Sequence, residues 1–118
     1  MPYIDGFVIA VPNKTKSRYI KHAEKSAAIF KSNGALSVVE NWADDVSEGK
    51  ITSFPMAVKC EEDEVVVFSW IVWPSREARD VGNKAAMEDP IFKDWDPTLM
   101  PFDGKRMIFG GFTTIVDL

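Results

Sequence analysis

Met100-Pro-Phe-Asp-Gly-Lys-Arg-Met-Ile-Phe-Gly-Gly-Phe-Thr-Thr-Ile-Val-Asp-Leu118 is the stretch whose reading decides the fold. Asp103-Gly104 has the chemistry of a tight turn. Arg106 to Val116 then reads as a closing strand with apolar residues at both parities. A strand of that kind needs cover on both faces. With two plausible helices in 118 residues, one of the covers has to come from a second subunit, which predicts half of a homodimer built around a shared sheet core.

Working back from that strand, the periodicity changes in a definite order. Tyr3 to Val11 is β-branched and aromatic and closes at Pro12, which lacks a ladder donor. Asn13 is the expected cap of a helix whose stripe is Tyr19, Ile20, Ala23, Ala27 and Phe30, stopped at Asn33-Gly34. Ala35 to Ala43 and the strongly apolar Val65 to Trp73 read as the arms of a β-hairpin, joined through Phe54-Pro55 and the acidic turn Glu61 to Asp63. Ser75 caps a second helix with Ala78, Val81 and Ala85 as its stripe, extended by Met87. Pro90 to Gly104 has no clear period, yet it carries Ile91, Phe92, Trp95, Leu99, Met100 and Phe102, so it is expected to be an ordered arm packed on the sheet edge or on a partner subunit.

The resulting order β-α-β-β-α-β is an α+β, ferredoxin-like arrangement in a single domain spanning 1–118: an antiparallel sheet with two helices on one face. The other face is then left bare. Each large apolar side chain there would forgo roughly 1.5–3 kcal/mol of burial, and packing sheet against sheet in a two-fold dimer removes that loss.

Composition narrows the function. With 46% apolar residues the chain has ample core, and a net charge of −4 works against phosphate backbones and anionic lipid. The charge is uneven: residues 13–34 carry +5 and the remainder −9, but no aromatics are interleaved with those lysines as a stacking platform. Neither nucleic acid nor membrane is expected as a partner. The single cysteine, Cys60, excludes an internal disulfide, and no signal segment is evident, which together predict a cytoplasmic protein.

Candidate chemistry is sparse. His22, the single histidine, falls at the border of the first helix's apolar stripe, and with no second histidine or carboxylate at i+3 or i+4 a helical metal pair is absent. His22 and the strand carboxylate Glu40 are the candidate acid–base residues. Asp44-Asp45 and Asp94-Trp95-Asp96 lack the spacing of a calcium loop, and there is no phosphate loop or nucleophile elbow, so neither metal nor cofactor is expected. Trp42, Ser69, Trp70, Trp73 and Arg106 are the candidate lining of a ligand cleft. The same aromatics fit a core and a dimer seam equally well, and Arg106 fits a salt bridge that fixes the arm as well as an anion site.

Pro2-Tyr-Ile-Asp-Gly-Phe-Val8, Asn33-Gly-Ala-Leu36, Thr52-Ser-Phe-Pro55, Val67-Phe-Ser-Trp70 and the Met100–Phe112 motif together resemble the YbaA-like family of small bacterial proteins of unknown function. The resemblance implies a dimeric α/β-barrel of the ferredoxin-like type and brings no catalytic residues with it. The wider superfamily includes monooxygenases, haem-degrading enzymes, decarboxylases, isomerases and ligand-binding modules. Two functions stay open: a homodimer that binds a small organic molecule between sheet and helices, and a cofactor-independent monooxygenase- or isomerase-like enzyme.

Overall fold

The computed structural model describes residues 1–94, 96 and 100–118, and the expectations placed on Trp95 and Leu99 lie outside them. Four antiparallel strands, β1 (Tyr3–Pro12), β2 (Ser37–Trp42), β3 (Glu64–Trp73) and β4 (Ile108–Thr113), form one sheet in the order β2-β3-β1-β4. Helices α1 (Lys16–Ser32) and α3 (Arg76–Met87) cover one face, with short α2 (Phe54–Ala57) and α4 (Pro90–Lys93) added in the connections.

Register assigns the faces. Tyr3 pairs with Trp73, Asp5 with Ile71 and Ile9 with Val67 across β1 and β3, and these odd-numbered residues turn toward the helices. Ile9, Val11 and Val67 close on Tyr19 and Ala23 of α1. Tyr3, Ile71 and the fully buried Trp73 form a second cluster with Ala35, against which Phe30 packs. The even-numbered set, including Val8, Phe68, Trp70, Ile108 and Phe112, turns to the opposite face. That face is not bare throughout, because Val58, just past α2, buries Ala10 and Val66 at one end. Beyond this cover, Phe68 is 44% and Phe112 61% exposed.

Several element boundaries differ from the sequence reading. Asn13 opens a 3₁₀ turn instead of capping α1, and its amide donates to the Asp63 carbonyl at 3.2 Å. On α3 the buried positions are Gly82 and Ala86, while Val81 is 72% exposed, so the covered stripe sits one residue further along than the apolar pattern indicates. The reason is Trp73: a Cβ at Gly82 would clash with its ring, and only a glycine lets the helix come so close to the sheet. The final strand ends at Thr113, not Val116, leaving Ile115 and Val116 exposed. Gly34, at φ 107°, supplies the left-handed stop of α1 as expected.

Candidate functional site

Helices α1 and α3, the helix-facing side of the sheet and the arm after α3 enclose a cleft of about 500 Å³. Its walls are mostly apolar, with Phe7, Phe30, Phe92, Phe102 and Phe109 among them. The arm is fastened at both ends. On one side Asp89 caps α4, whose Phe92 packs 5.6 Å from Phe30. On the other, Thr15 donates to the Pro101 carbonyl at 2.9 Å and Phe102 sits edge-on to Tyr19 and His22. The described ends of the arm, at Phe92 and at Pro101 to Phe102, therefore pack on α1 beside the cleft, a contact the sequence reading did not name.

Polar groups enter the cleft at two places. Near β2, the buried Tyr19 hydroxyl donates to Glu40 Oε1 at 2.5 Å, and Glu40 pairs across the sheet with the buried Ser69. Glu40 remains reachable by solvent through an adjoining groove of about 330 Å³, which it borders together with Tyr19 and Trp42. Displacement of water around the carboxylate raises its pKa above the usual glutamate range, and the Tyr19 hydrogen bond partly offsets this. Burial, followed by the charge of Glu40 and its hydrogen bond, pushes the Tyr19 phenol far above its ordinary value. His22, one helical turn from Tyr19, is half-buried, and burial followed by the charge of Lys25 lowers its pKa, which favours the neutral imidazole.

At the second place, Asp5 accepts a 3.0 Å bond from the Trp73 indole and lies 3.9 Å from Arg79 Nε. Arg79 donates to the Tyr3 hydroxyl at 2.9 Å and stacks 4.8 Å over its ring. Gly111 sits beside this pair, where a Cβ would clash with both the Tyr3 hydroxyl and the guanidinium. Gly111 thus serves a close backbone approach in an unbroken ladder.

The sequence-selected residues distribute themselves over the whole molecule. His22, Glu40 and Ser69 border the cleft. Trp42 borders the neighbouring groove, with the Lys16 ammonium 4.9 Å above its ring. Trp73 lies in the core beneath, while Trp70 is on the opposite face, 5.4 Å from Phe68. Arg106 forms a two-pronged pair with Glu64, at 2.6 and 2.7 Å, and also bonds Asp103 and the Lys59 carbonyl. This clasp ties the foot of the arm to the start of β3. Arg79, Asn83 and Tyr19 complete the cleft and were not singled out from sequence; Tyr19 was hidden because a tyrosine on an apolar stripe reads as core. Among the described residues no three histidine, cysteine or acidic side chains gather to hold a metal ion, and no helix is long and apolar enough to cross a membrane.

Residues 2–104 match the model of a family described as a protein of unknown function, DUF1428. The chain belongs to this family. The uncharacterized protein YbaA of Escherichia coli strain K12 is 56% identical over 117 residues, which is 99% of each chain, and YbaA of Shigella flexneri shows the same identity and cover. Among solved structures, an uncharacterized NIPSNAP domain protein from Burkholderia xenovorans superposes with a TM-score of 0.57 at 10% identity, over 96% of this chain and 94% of that one. A dimeric ferredoxin-like protein from an uncultured marine organism gives 0.56 at 17% identity, over 100% and 98%. At these identities the structural likeness shows the ferredoxin-like fold alone.

Proposed function

We propose that the protein is a homodimer that binds a small organic molecule in the cleft between sheet and helices of each subunit. The observation that carries the ligand is the cleft itself: about 500 Å³, aromatic walls, and a few polar groups grouped at two places. Support for the dimer comes from the face opposite the helices, where Phe68, Ile108 and Phe112 are each more than 40% exposed. Pairing two such faces leaves both clefts open on the outer, helical side. We take the protein to be cytoplasmic, with neither nucleic acid nor membrane as a partner, in keeping with its net charge of −4.

A cofactor-independent monooxygenase- or isomerase-like activity is the second reading. It is favoured by Glu40, an accessible carboxylate with a raised pKa beside a phenol, together with a neutral His22 in the same cleft. Both readings require an occupant. Ser26 lines the cleft from α1, and Ser26→Trp would fill it. Protein purified from cells is expected to release a small molecule on denaturation, and the Ser26→Trp variant to release none. Equal amounts from both proteins, or none from either, would count against the cleft as the binding site.

A further inference from the structure

Glu40 Oε1 is taken by the Tyr19 hydroxyl, and among the described residues nothing else donates to this carboxylate. A carboxylate offers about four lone-pair sites, so Oε2 is left with acceptor capacity that protein groups do not use. Among the described residues no ion pair to it is formed either, and Lys16, which borders the same groove, lies over the Trp42 ring. Asp5 likewise accepts a single bond, from Trp73, but it is 8% exposed and faces the Arg79 guanidinium at 3.9 Å, which balances its charge. Of the carboxylates that line the cleft among the described residues, Asp5 and Glu40, it is thus Glu40 that has no facing cation and keeps an oxygen for a donor from outside the protein.

The walls restrict what can bring that donor. Phe7, Phe30, Phe92, Phe102 and Phe109 surround the space, and aromatic rings pack most favourably against other planar rings. An anion would be repelled by Glu40. A bare cation would lose its hydration among those phenylalanines while facing the Arg79 guanidinium across the cleft. From this arrangement, and resting on the cleft being a ligand site, we propose that the bound molecule is a planar aromatic compound whose neutral hydroxyl donates to Glu40, as the Tyr19 hydroxyl already does. A hydrogen bond to an ionised acceptor has enough strength to dominate selection in an otherwise apolar site.

The test uses the full chain at pH 8 and four fluorescent probes: 2-naphthol, its methyl ether 2-methoxynaphthalene, naphthalene, and 1-naphthylmethylammonium. The wild type is expected to bind 2-naphthol at least about tenfold more tightly than the ether or naphthalene. Glu40→Leu should bind all three within about threefold of one another, having lost the acceptor. If Glu40→Leu fails to fold, Glu40→Gln provides the same reading with a smaller drop, because a neutral carbonyl accepts about half as strongly. Equal binding of naphthol and ether by the wild type would overturn the hydroxyl while leaving the cleft as a site. An undiminished preference in the Glu40 variants would overturn the role of Glu40, and tighter binding of the ammonium probe would overturn the neutral donor. Failure of all four probes would remove both this inference and the aromatic cleft on which it rests.

Discussion

The two faces of the sheet are built from similar residues and differ in what lies over them. On the helical face the alternate residues of β1 and β3 meet Tyr19, Ala23 and Phe30, and Val67 and Trp73 are at most 1% exposed. One residue along the same strand, Phe68 turns to the other face and remains 44% exposed. A period of two puts equally apolar neighbours into opposite environments, so the apolar content of a strand does not reveal which face is finished. The finished face contains the cleft. The unfinished one leaves Phe68, Ile108 and Phe112 exposed.

The contrast is easiest to break within β3. Val67→Asp places a carboxylate in the closed core at a cost on the order of 4 kcal/mol or more, enough to unfold most of the population, visible as lost helical and sheet signal in circular dichroism. Phe68→Asp, at the adjacent position, should keep a folded chain of nearly unchanged secondary structure while raising the dimer dissociation constant by about two orders of magnitude. If both variants unfold alike, the distinction between the faces fails.

Next in size is Gly111→Ala, where the added methyl would displace Tyr3 and Arg79 from their close approach. The expected destabilisation is about 2 kcal/mol, measured by urea unfolding. Gly110, one residue earlier, has only ordinary contacts for a Cβ, to the Phe112 ring at 3.6 Å. Gly110→Ala should therefore cost less than about 1 kcal/mol, sharpening the same comparison of parities.

The smallest effect belongs to the clasp. The Glu64 side chain is 4% exposed, but the Arg106 guanidinium supplies much of its cover, so the pair is less desolvated than that figure alone indicates. Arg106→Ala is expected to cost about 1–2 kcal/mol, between surface and buried pairs, and to speed proteolysis of the arm. Hydrogen bonds from Arg106 hold the Glu64 carboxyl below its ordinary pKa of 4.5. Its stabilising contribution is therefore complete above that ordinary value and lost as pH falls through the lower folded value. Melting temperatures of wild type and Arg106→Ala should consequently converge in acid. A gap that stays constant from pH 7 down to pH 3 would exclude this pair as its source.

Much of the fold could be read from residues. Gly34 as the stop of α1, Ser75 as the cap of α3 and the doubly apolar β3 are local signals, and the structure keeps all three. What escaped the sequence depends on contacts between distant segments. The α3 stripe moved because Gly82 admits Trp73, and Asn13 gave up its cap for the Asp63 carbonyl 50 residues away. The site was less legible than the fold for the same reason. Glu40 and His22 stand out as isolated titratable residues, but that Tyr19 would join Glu40, or that Trp70 and Trp73 would end on different sides of the sheet, follows from strand parity and helix docking.

Sedimentation equilibrium of the wild-type chain at low micromolar concentration tests the central claim, that the unfinished face is closed by a second copy, most directly. The expected result is the mass of two chains, shifting to one chain in Phe68→Asp. A wild-type protein that is folded and monomeric under these conditions would contradict it.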